Sequence, residues 1–233
     1  MGKKQRPRFA GVITGDIVRS RTLSSGERAQ LYERSELLLT ALQGKGFIAD
    51  HFSYRGDSFQ CFMDDPGVAL RSALIIKCLI KPIMLPRAGT RTGRAQSPAT
   101  GVEVRLAIGI GGVDFRNPGA GASDGPAYQL SGEGLASLER SGRQLVLRCE
   151  DKELENEMAP LLSLMDALLL KATPRQCQAI GHKLMGMKES EIAQQLGISQ
   201  SAVNLRAQPS VYRALLQAVE RFEQRMHQRS ATA

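Results

Sequence analysis

Residues 47–63, FIADHFSYRGDSFQCFM, hold two runs of strand-forming residues hinged at Arg55-Gly56-Asp57. A Gly-Asp tip between two such runs reads as a β-hairpin, with strands over Phe47–Tyr54 and Ser58–Met63. Toward the N-terminus, Leu31, Ser35, Leu38, Leu39 and Leu42 recur at spacings of three and four, the period of a helix with one apolar face. Ser24 and Glu27 have the capping-box spacing at its start, and Gly44 and Gly46 close it. Before it, Phe9-Ala-Gly-Val-Ile-Thr14 is a short apolar run suited to a buried strand, which Gly15-Asp16 is expected to break. Toward the C-terminus, Asp64-Asp65-Pro66 opens a helix carrying Val68, Leu70, Ala73, Leu74, Ile76, Cys78 and Leu79 as far as Pro82. Val102–Gly111 alternates as a strand, Ala127–Arg140 is helical, and Gln144–Cys149 is a last strand.

This order predicts an α+β fold with a ferredoxin-like (βαββαβ) core, an antiparallel sheet backed by helices. Residues 86–101 interrupt it with a basic loop that carries Arg87, Arg91 and Arg94 and no acidic residue. After Cys149 the strand signals stop. Glu150–Ala172 is helical, and further helices are expected near 174–185, 189–207 and 210–228. The expected division is a sheet domain over 1–150, a linking helix over 151–172 and an all-α helix-turn-helix domain over 173–233.

With 233 residues, 42% hydrophobic and 23% charged, the chain can bury a core without staples, and wholesale disorder is excluded. Aromatic residues make up 5% and Trp is absent, which argues against a stacking platform for single-stranded nucleic acid. The net charge of +8 points to a polyanionic partner, nucleic acid or nucleotide. From Lys171 onward there are nine basic and four acidic residues, a net of +5. Cys61, Cys78, Cys149 and Cys177 are too far apart for a zinc pair and read as reduced core cysteines. The basic start lacks a following apolar segment, and no run of 18 apolar residues occurs. A soluble, cytoplasmic protein with no membrane partner is the expectation.

Asp16 is expected at the end of the first strand and Asp57 at the hairpin tip. In a split βαβ sheet those strands are neighbours, so the two carboxylates can approach each other. Paired carboxylates there suit Mg²⁺, which takes oxygen ligands and bridges to phosphates. The segment Ile17-Val18-Arg19-Ser20-Arg21-Thr22 offers backbone N–H groups, two hydroxyls and two guanidiniums, a candidate triphosphate cradle. The competing reading makes both aspartates ordinary turn residues.

Asp16-Ile17-Val18-x-Ser-x-Thr resembles the first metal motif of class III nucleotide cyclases, and Gly56-Asp57-Ser58-Phe59 their Gly-Asp-x-Phe hairpin, which is also similar to the GGDEF signature. Arg105-Leu-Ala-Ile-Gly-Ile-Gly111 resembles their Arg-x-Gly-Ile-x-x-Gly strand, and Asp124–Leu130 matches the start of their next helix. The likeness covers roughly 8–150. The closer likeness is to the SatD-like proteins of bacteria, which join a cyclase-like domain to a C-terminal helix-turn-helix. The resemblance implies Asp16, Ile17 and Asp57 as metal residues, and Val18 to Thr22 with Gly56 as nucleotide-binding residues. Three departures accompany it. Tyr128 stands where cyclases have the Asn that orients the ribose, Gly132 where they have the transition-state Arg, and Ser53 where they have the base-recognising Lys. A kept metal site without those groups implies nucleotide binding, or hydrolysis by another geometry, rather than cyclase turnover.

Glu189–Arg206, ESEIAQQLGISQSAVNLR, has Ala193 where two helices cross and Gly197 at the turn. Ile192, Leu196, Ile198 and Val203 hold the apolar sites, and Ser199 is a cap. The pattern resembles the helix-turn-helix of sigma-factor and LuxR-type regulators. Ser199, Gln200, Ser201, Asn204 and Arg206 are the candidate DNA-binding residues, since Gln and Asn suit adenine edges and Arg suits guanine. Arg206 stands at a usually apolar position, so Leu205 or Ala207 is expected to pack instead. Val211, Leu215, Leu216, Val219 and Phe222 form a stripe that reads as core or a dimer seam. His51, His182 and His227 belong to no recognisable triad.

The sequence therefore predicts a DNA-binding transcriptional regulator, a homodimer, whose first domain binds a nucleotide with Mg²⁺ as sensor. Two other readings stand beside it: a divergent cyclase or nucleotidyl transferase, and an interaction module with both sites vestigial.

Overall fold

The computed structural model describes residues 8–54, 56–84, 101–117 and 123–232. Arg55, the basic loop with Arg87, Arg91 and Arg94, and Gly119 and Gly121 lie outside the described residues.

The strands are β1 (Arg8–Ile17), β2 (Asp50–Tyr54), β3 (Ser58–Met63), β4 (Val104–Val113) and β5 (Leu145–Cys149). Between them lie α1 (Ser25–Gly44), α2 (Ala69–Ile80) and α3 (Pro126–Ser141). They form one mixed sheet in the order β2-β3-β1-β4-β5, antiparallel except for the β4–β5 pair. The first four strands follow the expected split βαβ order, and α3 adds β5 beside β4 through a crossover.

Contrary to the expectation from sequence, Gly15-Asp16 does not break β1. The strand runs on to Ile17 because it is central and laddered on both sides, Asp16 lying opposite Ser58 in β3 and Arg105 in β4. Glycine at 15 leaves room for the Phe59 ring, whose Cζ would lie 2.3 Å from an added Cβ.

Side-chain alternation divides the sheet. Ile13, Ile17, Phe59, Cys61, Leu106 and Ile108 face α1 and α2. Ala10, Val12 and Phe62 face the α3 residues Ala127 and Tyr128. Helix α3 can approach closely because β4 has Gly109, where a Cβ would sit 2.1 Å from the Ala127 carbonyl oxygen. Ser24 caps α1 in the capping box expected with Glu27.

The remaining helices are α4 (Lys152–Lys171), α5 (Pro174–Leu184), α6 (Glu189–Leu196), α7 (Gln200–Ala207) and α8 (Pro209–Thr232). The sheet core continues into α4, α5 and α8 through Met158, Leu162, Met165, Ile180, Leu184, Leu215, Val219 and Phe222. Of the two readings of the stripe on α8, core therefore holds for Leu215, Val219 and Phe222. Charged links cross the same boundary. Arg71 on α2 pairs with Glu223 on α8 at 2.7 Å, and the buried Lys77 pairs with Asp166 on α4 at 3.4 Å. Lys81 donates to the Leu169 and Leu170 carbonyls at the end of α4, where a cation complements the helix dipole. The four cysteines are buried free thiols. No helix among the described residues is long and apolar enough to cross a membrane.

Candidate functional site

At the Ile17 end of β1, three neighbouring strands place polar residues in one row: Ser58 on β3, Asp16 on β1, Arg105 on β4. The Ser58 hydroxyl donates to Asp16 Oδ1 at 3.3 Å. The Arg105 guanidinium pairs with Asp16 Oδ2 and reaches Glu139 on α3 at 3.8 Å. The β2–β3 hairpin is tied to β1 by the Ile17 N–H, which donates to the Asp57 carbonyl at 2.8 Å. Gly56 at its tip takes φ +83°, under the Tyr32 ring. The buried Ser20 hydroxyl then donates to Asp57 Oδ2 at 3.0 Å.

These residues line a cavity of about 310 Å³, bounded by Asp16, Ile17, Arg19, Ser20, Arg21, Asp57, Arg105 and Glu139. Both expected carboxylates are present, as are Arg19, Ser20 and Arg21. Val18 and Thr22 face other duties. The Val18 N–H donates to the Glu103 carbonyl at 2.8 Å, and the Thr22 hydroxyl to the Arg19 carbonyl at 2.8 Å. Arg19 itself is left-handed, with φ +59°, and opens a single 3₁₀ turn over Ser20–Thr22. The Ile17 N–H is likewise spent on backbone, so exposed Arg19 and Arg21 side chains are the main anion donors of this segment.

Sequence reasoning used Arg105 only as part of a strand pattern and did not reach Glu139 or the Ser58 hydroxyl. Their convergence depends on sheet register and on the angle at which α3 crosses β4, neither of which is written locally.

The donor set tests the implied Mg²⁺. Two carboxylates flanked by two hydroxyls are hard oxygen ligands of the class this ion takes. Arg105 and the Ser58 hydroxyl engage Asp16, and the Ser20 hydroxyl engages Asp57. No group of three or more His, Cys, Asp or Glu side chains able to hold a metal occurs among the described residues.

Two of the three departures, Tyr128 and Ser53, are engaged locally. Tyr128 is almost buried and stacks on Phe62 with centroids 6.3 Å apart, and burial pushes its phenol pKa up. Gly132 faces open space. The Ser53 hydroxyl is spent on Glu36 at 2.6 Å.

The second candidate surface is built by α6 and α7. Gly197 between them takes φ +64°, and the Ile198 N–H closes back on the Ala193 carbonyl at 3.0 Å. Ser199 accepts from the Ala202 N–H at 3.2 Å and caps α7. Ile192, Ala193 and Val203 form the small core of the pair. Gln200, Ser201 and Asn204 are exposed, and Arg206 is half-buried. Of the two residues expected to pack in place of Arg206, Ala207 is fully buried and Leu205 is 79% exposed.

No family model matches the chain, and no curated protein matches it. Among solved structures it is similar to the adenylyl cyclase CyaB from P. aeruginosa, at 16% identity over 66% of this chain and 81% of that chain, TM-score 0.48. A bacterial light-regulated adenylyl cyclase matches at 16% identity over 61% and 77%, TM-score 0.45. The guanylate cyclase domain of RhGC from Catenaria anguillulae, in complex with GTP, matches at 14% identity over 58% and 84%, TM-score 0.35.

Proposed function

We propose that this chain is a DNA-binding regulator that senses a nucleoside polyphosphate in the Asp16–Asp57 cavity. The carrying observation is the convergence of two carboxylates with Arg19, Ser20, Arg21 and Arg105 on one hollow of about 310 Å³, at the small end of ligand pockets. Asp16 and Asp57 would hold Mg²⁺, whose chemistry there is to neutralise and bridge phosphate oxygens. Arg19 and Arg21 supply cations to the phosphates. An arriving phosphate also offers Arg105 an anionic acceptor beyond Asp16 and Glu139, and releases Asp16.

Neither Tyr128, packed on Phe62, nor Gly132 supplies the groups that cyclase turnover uses, so the reading is binding without cyclisation. The capped α6–α7 pair, in a segment of net charge +5, supports DNA as the second ligand. Asn204, Gln200 and Ser201 read bases, and the protein acts as a homodimer on paired half-sites. Four free thiols fit a reducing compartment, the cytoplasm. The motif order, resembling that of SatD-like proteins of bacteria, supports the same reading.

A thermal-shift panel of nucleoside mono-, di- and triphosphates, with and without Mg²⁺, tests it. A Mg²⁺-dependent rise in Tm that disappears in Asp16→Asn and Asp57→Asn, with no product formed, is expected. No rise with any nucleotide would overturn the sensor reading, and turnover would replace it with an enzyme.

A further inference from the structure

Helix α4 buries one apolar stripe, Leu154, Met158, Leu162, Met165 and Leu169, as an amphipathic helix should. It also carries a second stripe on the outside. Leu164 is 64% exposed and Leu168 39% exposed, with half-buried Leu161 and exposed Pro160 and Ala167 beside them. Charges frame this stripe. Glu157 lies seven residues before Leu164 and exposed Lys171 seven after, two helical turns each way on one face. Glu157 takes Arg221 at 3.5 Å and Arg225 at 3.0 Å yet keeps 35% exposure.

We propose that this face is the seam of a homodimer in which two α4 helices pack antiparallel about a two-fold axis at Leu164. The argument for a second copy is self-complementarity. Reversing the helix about Leu164 exchanges position 157 with 171, so each Glu157 meets the Lys171 of the other copy. The same operation sets Leu168 against Pro160 and Leu161, and Leu164 against itself, at the 8–10 Å spacing of packed helices. The alternative seam on α8 is already consumed, since Leu215, Val219 and Phe222 are at most 1% exposed. One helix face buries less than the ~800 Å² per partner of a standard interface, so the dimer dissociates on dilution. The proposal rests on the homodimer of the DNA reading and gives it a seam; a dimer indifferent to the substitutions below would overturn the seam and leave that reading standing.

Sedimentation equilibrium of the full chain tests it, with circular dichroism as the check on folding. The wild type should dimerise with concentration. Leu164→Glu, at a position already exposed in the monomer, should weaken the dimer about tenfold or more. Glu157→Lys and Lys171→Glu should each weaken it, by about tenfold, through two like-charge pairs. An equimolar mixture of these two variants should recover wild-type affinity, because both cross pairs are again opposite in sign. A purely intramolecular role for Glu157 would not be rescued by mixing. A monomeric wild type, a dimer indifferent to all three substitutions, or swaps that fail to complement would overturn the proposal.

Discussion

Asp16 meets Ser58 from 42 positions away and Arg105 from 89, whereas Ser199 caps α7 on a residue three positions on. The cavity at the end of β1 is thus made by sheet register, and the α6–α7 surface by a local turn. The first has its chemistry in the meeting of distant groups, Asp16 held by Ser58 and Arg105 and Asp57 by Ser20. The second holds its backbone in place with Gly197 and Ser199 and leaves Gln200, Ser201 and Asn204 turned to solvent. Disturbing the first therefore needs only a distant packing change, and disturbing the second a change within the turn.

The largest expected effect falls on both regions at once, because α4 and α5 share the sheet's core. Asp166→Ala leaves the buried Lys77 ammonium without its carboxylate and should cost about 3–5 kcal/mol in urea unfolding. Burial lowers the Lys77 pKa from 10.5, against the pull of Asp166 and Glu103. The native state thus sheds this proton before the unfolded chain does, and the Lys77 contribution to stability rises as pH climbs toward 10.5. A variant losing only the α6–α7 helices, with the sheet intact, would break the shared-core account.

Next comes Gly15→Ala, which drives a Cβ into the Phe59 ring and should cost about 1–3 kcal/mol while shifting Asp16 beside it. Nucleotide response should fall in this variant and DNA affinity, measured below the melting range, should not. Gly197→Ala sharpens the opposite case. A Cβ in left-handed backbone should cost about 1–2 kcal/mol and weaken DNA binding, with the nucleotide-induced Tm rise retained.

The smallest effect is a pH response. Burial, then Lys45, lowers the His182 pKa from 6.5. As pH falls through 6.5 the unfolded chain takes up the proton first, so stability is lost on acidification, by under about 1 kcal/mol per pH unit near that value. His182→Gln should flatten Tm between pH ~7 and ~5, and an unchanged slope would assign the acid response to other groups.

The element order was legible because hydrophobic period is local: Leu31 to Leu42 and Val102 to Gly111 announce helix and strand without their neighbours. So was the α6–α7 turn, where Gly197 and Ser199 each act within five residues. The end of β1 was misread because Gly15 signals a break only when its partners are ignored, and two flanking strands hold it extended. Arg105 was legible as a strand residue but not as the partner of Asp16, and Glu139 not at all, since register and helix crossing are properties of the assembled sheet. Leu205, read as a packing candidate by spacing, lies on the outside because α7 turns Val203 and Ala207 inward.

The central claim is that the two regions are coupled, one sensing and one acting. It is tested most directly by titrating a duplex selected from random sequences with full-length protein, in Mg²⁺ with and without ATP or GTP, for the wild type and Asp57→Asn. The account expects nucleotide to change wild-type DNA affinity about fivefold or more, and to leave the Asp57→Asn titration unmoved. Wild-type curves that superimpose with and without either nucleotide would contradict it.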